Sequence, residues 1–403
     1  MAEKKEGEEI RKWVEESIRR GYTRQEVIEL LKREGYTVDE ISDVLSLREN
    51  LERIPGIKAG FLKRTGQEKI QGVSSRKMDG SVPSAAEIRE LSRLLDLVRK
   101  EMAKTVVGQE EVVEAFICAL ICNGHVLLEG VPGIAKTLIV KTLAKAAGCS
   151  SKRIQFTVDL LPSDIIGITT YTPEKGFETI KGPIFANFIV ADEINRSPPK
   201  TQSAMIESMQ EKQVTIAKET YKLPLPFFVM ANNNPLETSG VYDLPEAQID
   251  RFLFKVLIDY PKTGEAEKQI MDTNTTLRNF EEYDIKPILS PEKIIHMQSL
   301  AMKIYMDEKI RDYIVKIIHK TRKRDFKNGH YIEWGGSPRA SIALFIASKA
   351  WALMKGRNYV VPKDVKDVAH FVLRHRIILN YKARAEKIDS DKIIDEILGM
   401  IEV

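Results

Sequence analysis

Short apolar runs and helical patterns alternate along the middle of the chain. Five runs predict strands: His125–Glu129, Ile154–Phe156, Phe188–Ala191, Phe227–Ala231 and Phe254–Leu257. The stretches between these runs carry the 3.6-residue periodicity of helices. Strands that alternate with helices form mostly parallel sheets with helices on both faces, so the pattern predicts an α/β domain.

From Thr263 onward the pattern is helical. The clearest helices are predicted at Ser337–Met354, Pro362–Leu379 and Asp389–Ile401. At the other end of the α/β region, Ser84-Ala-Ala-Glu87 is a capping box that opens a helix. We therefore predict an αβα core at residues 85–261 and an all-helical domain at residues 262–403.

The N-terminal part differs from the rest. Gly21-Tyr22-Thr23 recurs as Gly35-Tyr36-Thr37, and each copy carries a Thr-x-x-Glu capping box. Residues 1–50 thus predict a small helical module, which is either a docking device for a partner or an appendage that rests on the core. Residues 51–84 are rich in Gly, Ser, Lys and Arg without periodicity, which predicts a flexible linker.

Composition and charge narrow the functional class. The 403 residues are 43% hydrophobic and 30% charged, and no apolar run reaches the ~20 residues of a membrane span. The charged N-terminus has no apolar stretch of the kind a secretion signal needs. The three cysteines are Cys118, Cys122 and Cys149, and the helical spacing of the first two favours a buried helix face over a metal or redox site. We expect a cytoplasmic protein.

The net charge of +4 is concentrated in residues 53–82, which hold seven basic and two acidic residues. This charge suits either plain solubility or contact with an acidic partner, a nucleic acid or a membrane surface. The remainder of the chain carries no basic excess, which argues against a large nucleic-acid surface.

A candidate phosphate loop follows the first predicted strand and precedes a helical pattern. Backbone amides of such a loop and the helix N-terminus bind the phosphates of a nucleotide, while a Lys reaches the β- and γ-phosphates and a Thr hydroxyl binds Mg²⁺. Here Ala135 stands where the usual pattern has a second Gly, so a chance loop is the alternative. The expected ATP contacts are Gly130, Val131, Pro132, Gly133, Ile134, Ala135, Lys136, Thr137 and Leu138.

A second motif supports the first. The apolar run Phe188–Ala191 ends in Asp192 and Glu193. In a phosphate-loop enzyme such an Asp holds Mg²⁺ and the following Glu polarises the attacking water. A solvated pair at a strand end is the alternative, but the two motifs together predict an ATPase with Mg²⁺ bound by Thr137 and Asp192.

A third predicted strand ends in Asn232-Asn233-Asn234-Pro235. An Asn at this strand end can lie between the Mg²⁺ site and the γ-phosphate and position the water. The alternative is an Asn-rich turn.

The chain resembles the MoxR branch of the AAA+ ATPases over about residues 85–403. The motifs that carry the resemblance are Gly130–Thr137, Val190–Ala204, Leu244–Phe252 and Gly336–Ala340. In this family Ala135 is the usual residue of the phosphate loop. The resemblance implies a P-loop AAA+ core, a helical lid domain and assembly into a ring, expected to be hexameric.

The resemblance also implies roles for single residues. Asn234 matches the sensor 1 asparagine, although Asn232 and Asn233 replace the usual Thr-Gln. Arg251 matches the arginine finger that enters the ATP site of the neighbouring subunit. Arg339 matches the sensor 2 arginine, which the lid is expected to carry onto the γ-phosphate of its own subunit. Without the resemblance, each arginine reads as an ion pair at a domain edge.

Further expectations follow from the same likeness. Val107, Gly108 and Gln109 resemble the segment that lines the adenine pocket, with a plain helix connection as the alternative. Two hairpins are predicted, at Ile166–Lys181 and Gln213–Leu223. Such hairpins face the central pore and contact the client in relatives, with a surface hairpin that binds no client as the alternative.

We therefore expect an ATPase that remodels or matures protein assemblies. Its client is an unknown protein, and relatives often act with proteins that contain a von Willebrand factor A domain. A nucleic-acid motor and an ATP-gated scaffold with little turnover are the alternatives.

Overall fold

A computed structural model describes residues 82–130, 136–174, 176–233, 241–261, 263–274 and 280–402. All of them belong to one compact unit, Asp79–Val403. The predicted helical module at residues 1–50 and the linker up to residue 81 lie outside the described residues.

The first part of this unit alternates helices and strands as the sequence predicts. Its elements are α1 (Ala85–Met102), α2 (Glu110–Ile121), β1 (Val126–Gly130), α3 (Lys136–Ala146), β2 (Ser151–Gln155), α4 (Pro162–Ile166), β3 (Gly167–Thr172), β4 (Gly176–Lys181), β5 (Phe188–Asp192), α5 (Pro199–Glu211), β6 (Gln213–Ile216), β7 (Glu219–Lys222), β8 (Phe228–Asn233), α6 (Glu246–Ile249) and β9 (Phe254–Ile258).

Five of these strands form a sheet in the order β2-β5-β8-β1-β9. Every neighbouring pair is parallel. The predicted α/β class is therefore confirmed. Because the strands are parallel, their carboxyl ends meet at one edge of the sheet, and their amino ends meet at the other.

Side chains alternate between the two faces of the sheet and enter two hydrophobic clusters. Val126 and Leu128 of β1 pack in a cluster with α1, α2 and α3. Leu127 points to the opposite face and packs with apolar residues of β5, α5 and β8. Burial on both faces explains why the strands read as continuous apolar runs.

The second part consists mainly of helices. Its elements are α7 (Gly264–Asn274), α8 (Pro291–Lys303), α9 (Glu308–Lys323), β10 (Ile332–Trp334), α10 (Pro338–Met354), α11 (Pro362–Leu373), β11 (Ile378–Leu379), α12 (Tyr381–Ala385) and α13 (Ser390–Met400). Apolar residues of α8 to α11 share the hydrophobic cluster of α1 to α3. The boundary placed between residues 261 and 262 stays a prediction.

The expectation of an all-helical second domain needs a correction. The predicted helix Pro362–Leu379 ends at Leu373, and β11 pairs antiparallel with β10. The residues just after α11 direct their side chains to backbone carbonyls of the core, which holds the chain outside a helical path.

Both predicted hairpins are present, as β3–β4 and β6–β7. On β3–β4 the rings of Tyr171 and Phe177 pair across the strands with centroids 5.1 Å apart. Their exposed fractions are 63% and 81%. An aromatic pair that faces solvent adds little to the core, so its stabilising role is local to the hairpin.

The structure also bears on the cysteines and on the expected absence of a membrane span. Cys118 and Cys122 are buried on α2 and at its end, and all three cysteines are free, as expected for a buried helix face. Within the described ranges, no helix is long and apolar enough to cross a membrane.

The imidazole of His125 gives the fold a measurable pH dependence. Its Nε2 donates to the Met209 carbonyl and its Nδ1 accepts from the Val229 amide, so the ring is neutral. Burial lowers the pKa of His125 to about 4. In the unfolded chain the pKa of a histidine is about 6.5. The contribution of His125 to stability is thus complete above that pH and is lost as the pH falls toward 4.

We expect the titration of His125 to lower the free energy of unfolding by about 3 kcal/mol as the pH falls from 6.5 to 4. Urea unfolding of wild type and His125→Gln at several pH values measures it. The variant should be less stable at neutral pH but lose less stability on acidification. Because buried His375 also titrates with a lowered pKa, the difference between the two proteins is the relevant quantity. Parallel pH profiles would contradict the prediction.

Candidate nucleotide site

The predicted phosphate loop lies between the carboxyl end of β1 and the amino end of α3. Gly130 ends the strand, and a Cβ there would approach the Ile258 carbonyl oxygen to 2.1 Å, so only glycine fits. Lys136, Thr137 and Leu138 form the first turn of α3 and are half-buried. The five expected contacts between them, residues 131–135, lie outside the described residues. A strand end that leads into a helix N-terminus favours phosphate binding.

The ammonium group of Lys136 lies close to acidic side chains. Its Nζ donates to the Gly130 carbonyl. Burial lowers the pKa of Lys136, and the nearby carboxylates of Asp192, Glu129 and Glu193 oppose that shift. The lysine is thus held among negative charges at the loop, where it can contact an anionic group.

Asp192 and Glu193 lie at the carboxyl end of β5, on the same edge of the sheet as the loop. Asp192 is 7% exposed. The chain turns sharply after it, because Glu193 adopts a left-handed conformation with φ 57°. Such a conformation is uncommon for a residue other than glycine and occurs often at functional sites.

Sequence reasoning missed the residues that hold these two carboxylates. Nε of Arg153 donates to Asp192 over 2.7 Å, and Nε2 of Gln155 donates to Glu193 over 2.6 Å. A third contact, 3.0 Å long, joins Arg196 and Glu193. Because β2 pairs with β5, residues 153 and 155 lie on the neighbouring strand beside the acidic pair. The only signal in the sequence was a pair of polar residues spaced by two, of which Gln155 lies in the predicted strand Ile154–Phe156 and Arg153 lies just before it.

The end of β8 contributes asparagines. Asn232 donates to Asp192 Oδ1 and accepts from the Glu193 amide, so it joins the two acidic residues. The side-chain oxygen of Asn233 is buried and has no hydrogen-bond partner among the residues described. Asn234, the expected sensor 1 residue, lies outside the described ranges and its role stays a prediction.

The oxygen ligands at this edge of the sheet fit a nucleotide with Mg²⁺. Magnesium prefers oxygen ligands and takes one or two carboxylates together with phosphate oxygens. The buried carboxylate of Asp192 and the hydroxyl of Thr137 supply such oxygens at one edge of the sheet. The unpartnered oxygen of Asn233 gives the same edge a buried acceptor, which suits a bound water.

The segment expected at the adenine lies at this edge as well. Nε2 of Gln109 donates to the Asp259 carbonyl over 2.8 Å, just past the end of β9. Gly108 has φ +71° and packs close to Ala266. Val107, Gly108 and Gln109 therefore lie beside the strand next to β1, where a base attached to the bound phosphates could reach them.

Arg251 lies at the opposite edge of the sheet. It follows α6 and precedes β9, and the amide of Leu253 donates to the carbonyl of His125, the residue before β1. Nε of Arg251 is buried and has no partner within the described part of the chain. The five residues of β1 separate this edge from Gly130 by about 13 Å.

Arg339 lies with Arg251 and not with the loop of its own subunit. It is in the first turn of α10, and its Nη1 donates to Asp250 Oδ2 over 3.3 Å. The expected approach of Arg339 to its own γ-phosphate is therefore not the arrangement in this structure. The physical reason is that the helical domain docks at the amino edge of β9.

Three consecutive basic residues make that docking contact. Arg374 donates to the Lys255 carbonyl, His375 contacts the Phe252 carbonyl, and Arg376 donates to both Phe252 and Leu253 carbonyls. The Arg376 side chain is 3% exposed. Buried charge-assisted bonds to several carbonyls fix the helical domain against the start of β9.

Comparison with protein families agrees with this architecture. Residues 125–254 match the model for the ATPase family associated with various cellular activities. Residues 326–397 match the AAA lid domain. The chain therefore has the core and the lid of an AAA ATPase, and it is an ATPase.

Individual relatives are more specific. The chain is 43% identical to Chaperone MoxR1 of Mycobacterium tuberculosis over 350 residues, which cover 85% of this chain and 90% of the relative. It is 42% identical to the uncharacterized protein YeaC of Bacillus subtilis over 78% of this chain and 96% of the relative. A crystal structure from Cytophaga hutchinsonii, of a protein assigned as an ATPase, matches with a TM-score of 0.73 and 44% identity over 79% of this chain and 97% of its own. The chain belongs to the MoxR family of AAA+ ATPases.

Proposed function

We propose that this ATPase is a chaperone-like machine that works as a ring, expected to be hexameric, and that hydrolyses MgATP only at contacts between subunits. Turnover would shift the subunits and their hairpins against a protein client. Among the relatives, MoxR1 carries the name chaperone, which supports such a role for this chain.

The observation that carries the proposal is the position of the arginines. Gly130 and Asp192 lie at the carboxyl edge of the sheet, whereas Arg251 and Arg339 lie at the amino edge. One subunit thus carries its own proposed ATP site at one edge of the sheet. At the other edge it carries the arginines that would complete the ATP site of a neighbour. A head-to-tail contact of this kind closes into a ring when the rotation between subunits allows it.

Each residue has a defined task at such a contact. Lys136 binds phosphate oxygens, and Glu193 accepts a proton from the attacking water. Thr137 and Asp192 would hold Mg²⁺, which would supply positive charge to the phosphates. Arg251 and Arg339 of the adjacent subunit add positive charge where it develops in the transition state. Asn234 is proposed to orient the water.

The hairpin β3–β4 is the proposed client contact. Ile168 and Ile180 face each other across the hairpin, as do Tyr171 and Phe177, and all four are exposed. Because positions 168 and 171 are three residues apart, the two pairs lie on opposite faces of the hairpin. Each face thus exposes apolar side chains of the kind found on surfaces that bind other proteins. They suit apolar segments of a protein client.

Activity measured against protein concentration tests the proposal. We expect the turnover per subunit to rise with concentration, and sedimentation velocity on the same samples should show the ring form over the same range. Subunits below the assembly range should bind a fluorescent ATP analogue and hydrolyse ATP far more slowly.

Two outcomes would count against it. Constant turnover per subunit across the assembly range would remove the need for a neighbour. A fully assembled ring with negligible turnover would favour a nucleotide-gated scaffold.

A further inference from the structure

Asp250 joins two arginines of the lid to the segment that carries Arg251. Its Oδ1 accepts from Arg376 Nε over 2.9 Å. Its Oδ2 accepts from Arg339 Nη1 over 3.3 Å and from Ser337 Oγ over 3.2 Å. Arg251 follows Asp250 directly in the chain. One carboxylate thus connects both arginines of the proposed subunit contact.

The two arginines bound to Asp250 differ in how firmly they are held. Arg376 is buried and also donates to carbonyls of the lid and the core, so it is fixed. The Arg339 side chain is 53% exposed, and Asp250 is its side-chain partner within the described ranges. An exposed ion pair contributes little to stability. Arg339 can therefore exchange this partner for a phosphate at small cost.

The negative charge of Asp250 keeps a cationic partner when Arg339 moves away from it. Burial lowers the pKa of Arg376 to about 10, while Asp250 opposes the shift and Arg339 adds to it. Arg376 stays protonated at neutral pH and keeps its contact with Oδ1. The carboxylate thus has one permanent and one exchangeable partner.

We propose that Asp250 is a positioning residue, which holds Arg339 beside Arg251 so that both guanidinium groups enter the neighbouring subunit's ATP site from one preorganised surface. This inference rests on the proposed function. Preorganisation matters because a displacement of about 1 Å at a catalytic group can cost about 10²-fold in rate.

A double-mutant cycle tests the proposal on the assembled full-length protein. The variants are Asp250→Asn, Arg339→Ala and the double variant, with kcat measured at saturating ATP. We expect Asp250→Asn alone to lower kcat about tenfold, since Asn keeps an acceptor for Arg376 but loses the charge that orients Arg339. In the double variant kcat should equal that of Arg339→Ala, because Asp250 acts through Arg339.

The matched control is Asp391→Asn. Asp391 also binds a docking arginine of the lid, Arg374, through two contacts of 3.0 and 2.7 Å, but it does not touch Arg339. Its loss should combine with Arg339→Ala as independent factors. If Asp250→Asn does not fold, Asp250→Glu keeps the charge next to Arg376 and moves the carboxylate by one methylene, and the same cycle applies.

Losses from Asp250 and Arg339 that multiply in the double variant would overturn the proposal and leave Asp250 a structural residue. This result is distinct from failure of the proposed function, which wild-type turnover independent of assembly would reveal.

Discussion

Replacement of Glu193 by Gln is expected to slow ATP hydrolysis about 10²–10⁴-fold in the assembled ring, with ATP binding retained. The amide cannot accept the proton of the attacking water. It has the size of the carboxylate and can stay in contact with Gln155 and Arg196, which bind Glu193 in the wild type. Phosphate release and the affinity for a fluorescent ATP analogue, measured on the same samples, separate the two effects.

Glu129→Gln is the matched control. Glu129 is another carboxylate near Lys136, and it pairs with Lys255 at 2.7 Å. Removal of one negative charge near the loop changes the field at Lys136 in either variant, but only Glu193 follows β5. We expect a small change in turnover for Glu129→Gln. Near wild-type hydrolysis in Glu193→Gln rings would show that another group accepts the proton.

The loop and the acidic pair could be located from the sequence because their parts are adjacent in the chain. A buried strand, a glycine-rich turn and a helix that starts with Lys136 and Thr137 follow one another directly. The same holds for β5 and its end at Asp192. Local periodicity predicts such units, and parallel strands bring their carboxyl ends to one edge.

The partners of the acidic pair could not be predicted in this way. Arg153 and Gln155 act on Asp192 and Glu193 only because β2 pairs with β5 in this register. Strand order within a sheet depends on tertiary packing, which the alternation of apolar residues does not specify. The contact of Asn232 with both acidic residues depends on strand order in the same way.

The location of Arg339 shows a further limit. The sequence predicts the helix that carries this residue, and Ser337 caps it as a helix start should be capped. Which edge of the sheet the lid approaches depends on bonds between Arg376 and carbonyls more than 120 residues earlier in the chain. The sequence therefore predicts a role for Arg339 in the ATP site of its own subunit, whereas the structure places its side chain at the other edge of the sheet.

Arg251→Ala should lower turnover in fully assembled rings about 10³–10⁵-fold without loss of ATP binding. Arg251 lies across the sheet from its own loop, and its buried Nε has no partner among the residues that the structure describes. We therefore expect its guanidinium group to serve the nucleotide of a neighbouring subunit. Lys136→Ala is expected to be inactive for the separate reason that its own loop no longer binds the phosphates.

The two inactive variants can complement each other when they are mixed. In a randomly mixed ring of equal parts, about a quarter of the contacts pair an intact loop with an intact Arg251. We expect a corresponding fraction of wild-type turnover, with mixed assembly verified by co-purification on a tag carried by one variant. A role of Arg251 within its own subunit predicts no recovery, because every subunit in the mixture then lacks one essential group. Recovery thus depends on which edge of the sheet supplies the arginine.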